Sequence, residues 1–138
     1  YFENYPRVKA FMDSYIQSAH EKGYVETMFG RRRYLPDINS QNATIRGVAE
    51  RNAINAPIQG SAADIIKIAM IRIEERIQNQ KLKSNMILQV HDELNFDVFP
   101  DELEQMKAIV SEEMQNAVAL KVPLIAEVGT GKNWLEAH

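Results

Sequence analysis

Three polar residues in a row, His91, Asp92 and Glu93, interrupt an otherwise strand-like stretch, MILQVHDELNFDVF, from Met86 to Phe99. Adjacent carboxylates suit a hard cation: Mg2+ takes oxygen ligands and usually binds through one or two carboxylates plus substrate phosphates. Successive strand residues point to opposite faces, so unless the tip is tightly turned Asp92 and Glu93 cannot both reach one ion. Asp92 is the expected ligand. One carboxylate makes a weak site, and no DxD pair or EF-hand loop occurs in the chain to complete it. The plain alternative is a surface turn with no ligand.

A second constellation is Arg51, Asn55 and Gln59, spaced i, i+4, i+8 with Gly47 one turn earlier. On a continuous helix these residues would form one polar stripe. Their long hydrogen-bonding groups differ from the Glu and Lys of ordinary solvated faces. Asn and Gln amides can donate to the acceptors that every base pair shows in the minor groove, and Arg pairs with phosphate. The solvent face of an amphipathic helix is the competing reading. A third candidate, Gly30-Arg31-Arg32-Arg33-Tyr34, places three arginines after a glycine turn. They could grip a phosphate backbone, although such runs also occur on plain surfaces.

The elements that must position these residues are legible as periodicities. Val8, Phe11, Met12, Tyr15, Ile16 and Ala19 follow one helix face, with Asn4 placed to cap it, Pro6 in its first turn and Gly23 to end it. Tyr24–Phe29 is strand-like, and Gly30 turns it into Arg31–Leu35; a loop follows through Asn42. A helix is predicted from Ala43 to Ala56, with Ile45, Val48, Ala49, Asn52, Ala53 and Ala56 inward. Pro57 and Gly60 should break or bend it.

The next helix, Ser61 to Gln80, carries Ala62, Ile66, Ala69, Met70, Ile73 and Ile77 on one stripe, with Ser61 and Asp64 as a capping box. Met86, Leu88 and Val90 alternate before the polar tip, and Leu94, Phe96 and Val98 after it, which reads as a β-hairpin. A helix opened by Asp101 and Glu104 turns Leu103, Met106, Ile109, Val110 and Met114 inward. Pro123 leads into a last strand, Leu124–Val128, and a Gly129–Gly131 turn precedes Asn133-Trp134. Helices alternating with antiparallel hairpins indicate an α+β chain, antiparallel β-hairpins packed with amphipathic helices.

At 138 residues, 45% hydrophobic and 25% charged, the chain has the size and composition of about one globular domain. No apolar run approaches the roughly 20 residues of a membrane span, and the opening YFENYPRVK is not a secretory signal. The absence of cysteine excludes disulfides and cysteine-based zinc sites and fits a reducing compartment. The chain opens without Met, so a piece of something longer is expected.

A net charge of −3 and a pI of about 5.6 argue mildly against a nucleic-acid binder, but the average hides a segregation. Lys22–Gln59 holds six basic residues against three acidic ones, whereas Asp92–Glu113 holds eight acidic residues against Lys107 alone. Such a pattern can place a polyanion on one side and metal ions on the other, or it can be two solvated faces.

Taken together, GYVETMFGRRRYLPDI, ERNAINAPIQGSAADIIKIAM, MILQVHDEL and VPLIAEVGTGKNW with its AH ending resemble, in order and spacing, the carboxyl-terminal part of the polymerase domain of family A DNA polymerases, the bacterial DNA polymerase I type. The resemblance runs over residues 1–138, and the His138 end is similar to the family's terminus. It implies a palm fragment with adjoining fingers-side helices, serving DNA-templated DNA synthesis in replication and repair. Asp92 would bind catalytic Mg2+, with Glu93 a supporting carboxylate and His91 near the primer terminus. Arg51, Asn55 and Gln59 would contact the primer–template, Arg51 toward the backbone and the two amides toward the minor groove, with Arg31 and Arg32 as further DNA contacts.

Asn95 stands where the family usually has an apolar residue, with little consequence expected. The family's other metal aspartate, in a motif resembling DYSQIELR, and the fingers helix that binds the incoming dNTP are not in this sequence. The two-metal site would therefore be completed by an aspartate outside this chain, and the chain alone is expected to be inactive. A non-catalytic DNA-binding piece is the alternative function. A cytoplasmic, nucleoid-associated bacterial setting is implied.

Overall fold

A computed structural model describes residues 1–138, and in it the first hydrophobic repeat folds as helix α1, Pro6–Lys22. Pro6 occupies the first helical position, where its missing N–H breaks no ladder bond. The N-cap is Tyr5, without a side-chain cap bond, so the expected Asn4 cap is not made; the Asn4 N–H bonds to the carbonyl of Tyr1 in a preceding turn. Gly23 ends the helix at φ 80°, its N–H on the carbonyl of Ala19. Strands β1, Tyr24–Glu26, and β2, Arg32–Tyr34, pair antiparallel around Gly30, as expected from the glycine.

The chain divides into two compact units, Tyr1–Ala62 and Ala63–His138. The core of the first is Ala19, Val25, Leu35, Ile38, Ala49 and Ala53, with Tyr15 and Ala56 packed against it. Of the face expected on α1 only Ala19 is fully buried, while Val8 and Phe11 stay exposed. Ile45 and Val48, expected inward, are also exposed; they line an open concavity with Arg33, Tyr34 and Asn52.

His20 ties three segments of this unit together. Its Nδ1 lies 2.8 Å from Asn39 Oδ1 and its Nε2 3.0 Å from Glu50 Oε1. The Asn39 amide nitrogen donates to the His20 carbonyl at 3.2 Å, which leaves Oδ1 to face the ring. Both ring nitrogens therefore face acceptors, the arrangement of an imidazolium. The bond to Asn39, and then that to Glu50, raises the His20 pKa above its ordinary 6.5.

A raised folded value means the stabilisation is complete below about pH 6.5 and is lost as pH rises through that folded value. The protection of α1 amides, measured against their intrinsic exchange rates, is expected to fall as pH rises through that folded value. His20→Phe should flatten the pH dependence, and an unchanged profile in the variant would contradict the assignment.

One helix, α2, runs unbroken from Ala43 to Asn79 and replaces the two predicted around Pro57 and Gly60. Pro57 removes one ladder bond and crowds the carbonyl four residues back, which ends many helices. Here tertiary packing overrides it. Pro57 is buried one turn after Ala53, itself fully buried. At Gly60 a side chain would lie 2.6 Å from the Thr27 methyl, so the helix backbone passes directly against Thr27. Ser61 is not a cap: its hydroxyl oxygen accepts the Met28 N–H at 2.9 Å, and Asp64 is buried in mid-helix. Ala62, expected inward, is exposed.

In the second unit α2 ends in a Schellman turn. Lys81 takes φ 55°, with Leu82 N–H on Ile77 O and Lys81 N–H on Gln78 O. Strands β3, Asn85–Val90, and β4, Glu93–Asp97, form the predicted hairpin. After a 3-10 turn, Pro100–Glu102, helix α3 spans Leu103–Gln115. Ile73, Ile77, Met106, Ile109 and Val110 make the core, with Met86, Leu94, Phe96, Val98 and Met114 against it. The hairpin base is pinned by Glu102, whose carboxylate accepts the Lys83 and Ser84 N–H groups and the buried Ser84 hydroxyl. The backbone bond from Lys83, then the Ser84 hydroxyl, holds the Glu102 pKa below its ordinary value.

The register of the hairpin departs from simple alternation. Met86 pairs with Phe96 but Leu88 with Asn95, so the ladder slips at Ile87. Paired residues share a face. Met86 and Gln89 thus lie with Leu94 and Phe96, whereas Leu88 and Val90 lie on the other face with Asn95 and Glu93. A bulge re-aims side chains in this way. The Asn95 amide nitrogen is buried with no hydrogen-bond partner among the protein's own groups.

The strand expected at Leu124–Val128 is absent. The segment alternates in burial at Leu124 and Ala126 but pairs with no other strand. A one-turn helix, α4, Trp134–Ala137, follows where none was predicted. The whole is α+β, helices with two small antiparallel hairpins.

Candidate active-site turn and nucleic-acid interface

The polar tip is tighter than three residues. Val90 pairs directly with Glu93, so His91 and Asp92 alone make the turn and Glu93 opens β4. Two-residue hairpin turns need positive φ to match strand twist. His91 supplies it at φ 54°, a conformation costing a non-glycine residue roughly 1–2 kcal/mol. Such strain persists only where the surroundings hold it, and it clusters at functional sites. Gln89 contributes to the hold, its Nε2 donating to the His91 carbonyl at 3.0 Å.

The two carboxylates have different fates. Asp92 is exposed at the turn, with no bond to another side chain. Glu93 is engaged on both oxygens: Oε1 accepts the Trp134 indole N–H at 2.7 Å, and Oε2 lies 3.0 Å from His138 Nε2. His138 Nδ1 in turn lies 3.1 Å from the Trp134 carbonyl. That carbonyl, and then the Glu93 charge, raises the His138 pKa above its ordinary 6.5. Asp92 is thus free to take a cation as one oxygen ligand, which fits Mg2+ as half a site. No group of three His, Asp or Glu side chains converges in the chain.

Along α2, Arg51, Asn55 and Gln59 are all exposed, and the uninterrupted helix keeps them on one stripe. A helix broken at Pro57 would have separated Gln59 from the other two. The arginines of the first hairpin are less uniform. Arg32 is held by its own sheet, its Nε 3.2 Å from Glu26 and its guanidinium 4.3 Å above the Tyr24 ring. Arg31 also has a partner within the chain. Arg33, in the register position opposite Val25, is exposed beside Tyr34 and Asn52.

Sequence reasoning did not find Trp134 and His138 as partners of Glu93, which they meet across 41 and 45 positions. A local signal was present: Asn133 with Glu136 three residues on is an N-terminal helix signature, and the Asn133 side chain does accept the Glu136 N–H.

Residues 1–136 match the profile of DNA polymerase family A. The chain is 53% identical to DNA polymerase I of Lactococcus lactis subsp. cremoris over 137 residues, covering 99% of the chain and 16% of that protein. Against DNA polymerase I of Caldicellulosiruptor bescii it is 53% identical over 136 residues, again 99% of the chain and 16% of the relative. Among solved structures it superposes with a TM-score of 0.96 and 47% identity on the POL domain of Pol1 from M. smegmatis, in complex with DNA primer-template and dNTP. That match covers 99% of this chain and 24% of the other. The chain spans about one sixth of the length of the curated relatives it matches, 16% in each case. With a family profile matched over residues 1–136, the chain belongs to DNA polymerase family A.

Proposed function

We propose that this chain is the carboxyl-terminal part of the polymerase domain of a bacterial DNA-directed DNA polymerase, acting in replication and repair in the cytoplasm at the nucleoid. The observation that carries the reading is the exposed Asp92 carboxylate, unengaged on a strained two-residue turn backed by a packed hairpin. Catalytic groups need such rigid support. Asp92 holds Mg2+ together with an aspartate supplied from outside these residues. Mg2+ held there would supply Lewis-acid chemistry, favouring the deprotonated primer 3′ oxygen and neutralising charge on the leaving pyrophosphate of the dNTP. His91 lies near the primer terminus, and Glu93 supports the turn from its place on the strand.

Arg51 meets the primer–template backbone, while Asn55 and Gln59 donate to minor-groove acceptors. Those acceptors are nearly the same for all base pairs, so the contacts report pair geometry without reading sequence. Arg31 and Arg32 are secondary DNA contacts, and Arg32 must release Glu26 to serve. The chain by itself does not polymerise, because Asp92 lacks its partner; the alternative reading is a non-catalytic DNA-binding piece.

The test is primer–template affinity of the full-length protein over a salt series. Arg51→Ala is expected to weaken binding for every sequence and lower the salt slope by about 1. Gln59→Ala should cost about 1 kcal/mol, roughly fivefold, with the slope unchanged. Equal effects of both variants on the slope would contradict the division of roles.

A further inference from the structure

Both oxygens of the Glu93 carboxylate are taken by one short segment, through the Trp134 indole N–H at 2.7 Å and His138 Nε2 at 3.0 Å. The segment is built to present these two groups together. The Asn133 side chain accepts the Glu136 N–H at 2.9 Å, and the Glu136 carboxylate accepts the Lys132 N–H at 2.8 Å. The His138 ring lies 5.5 Å from the indole, tied to the Trp134 carbonyl at 3.1 Å. The preceding glycines let the chain pass directly beneath this turn. A side chain at Gly131 would lie 2.5 Å from Glu136 Cβ, and one at Gly129 would overlap the Ala137 carbonyl oxygen. Loop and one-turn helix therefore pack as one clasp, closed on Glu93.

The place where it closes matters. Glu93 follows Asp92 directly and is the far post of the two-residue turn, paired with Val90. On one face of the hairpin Leu94 and Phe96 rest on the core; on the other face Glu93 is held by the clasp. A short turn has two soft dihedrals per residue, and holding the strand at its exit from both faces leaves Asp92 little freedom. The clasp donors also occupy the Glu93 oxygens, which makes that carboxylate a poor competitor for a cation at Asp92.

We propose that Trp134 and His138 are positioning residues for the Asp92 turn. By gripping Glu93 they hold the Asp92 carboxylate where it meets its divalent cation, and they keep Glu93 out of the ligand position. The proposal rests on the reading of Asp92 as the metal ligand.

The experiment uses the full-length protein with Trp134→Phe, His138→Ala, His138→Gln and, as control, Asp92→Ala. Loss of one charge-assisted hydrogen bond in Trp134→Phe or His138→Ala is expected to raise the Mg2+ concentration for half-maximal incorporation about 5–10-fold. Primer–template affinity and the KM for dNTP should move less than about twofold, since on this proposal the clasp acts only through Glu93. Without Mg2+, amides of residues 90–94 should exchange about tenfold faster, while those of α3 keep their rates. His138→Gln, which keeps a donor near the Nε2 position, should restore both readouts.

Unchanged exchange at 90–94 with an unchanged Mg2+ requirement overturns the proposal. So does protection lost evenly across α3 and the hairpin, which marks a general folding role. Asp92→Ala separates the two readings. If it abolishes turnover while the clasp variants change nothing, the clasp alone fails. If it retains turnover, the metal assignment fails and the proposal falls with it.

Discussion

Asp92→Ala in the full-length protein is expected to lower turnover by about 1,000-fold or more, ~4 kcal/mol of transition-state stabilisation. Primer–template affinity should change by less than about twofold. The asymmetry follows from the chemistry of the site. Asp92 is an exposed anion on a turn, bonded to no other side chain, so its removal leaves no buried group unpaired. It also removes negative charge from a surface that must approach phosphate, which cannot weaken DNA binding electrostatically. On the proposed reading, what is lost is one of few oxygen ligands on a metal that matters most in the transition state. Single-turnover incorporation beside an equilibrium DNA titration separates the two quantities. Turnover within tenfold of the parent would rule out the metal role.

Ile73→Ala carries the largest expected effect on stability. Ile73 is fully buried on α2, in the cluster with Ile77, Met106, Ile109 and Val110. Truncating a buried isoleucine to alanine removes transfer free energy and leaves a cavity, together about 2–5 kcal/mol. Against a typical domain stability of about 5–15 kcal/mol that is a large fraction. Met86, Leu94 and Phe96 lean on the same cluster, so the hairpin should lose rigidity along with α3. The expected result is faster hydrogen exchange in β3, β4 and α3 of the full-length protein, with unit Tyr1–Ala62 unaffected. Ile73→Val should cost only about 0.5–1.5 kcal/mol. Equal exchange in parent and Ile73→Ala would contradict this packing.

Much of the fold could be read from periodicity, because burial of one face is a local property of the sequence. The stripe through Met106, Ile109 and Val110, the glycine turns at Gly23 and Gly30 and the existence of the hairpin all follow from residue type and spacing. The misreadings share a cause. Pro57 and Ser61 carry strong local signals for a helix end and a helix start, yet α2 runs through both as one helix, with Thr27 against Gly60 and the Met28 N–H on Ser61. Leu124–Val128 has the alternation of a strand, but a strand exists only with a partner. The slip at Ile87 moves Leu88 and Val90 to the face opposite Met86, and nothing in an alternating run announces where a ladder gains a residue.

The four motifs together identified the family that the profile match then showed, and residue type and order were what proposed Asp92 and the Arg51, Asn55, Gln59 stripe as candidates. Asp92 as ligand with Glu93 in support was the expectation from the sequence, but the groups that engage Glu93 were beyond it. Adjacent carboxylates look alike in a chain of letters. They differ in the fold because Glu93 opens a strand and meets Trp134 and His138, 41 and 45 positions away, while Asp92 stays on the turn. Chemistry that depends on a residue's own type was present in the sequence. Chemistry that depends on which donors reach a carboxylate was decided by tertiary structure, since hydrogen bonds act over about 3 Å of space and take no account of distance along the chain.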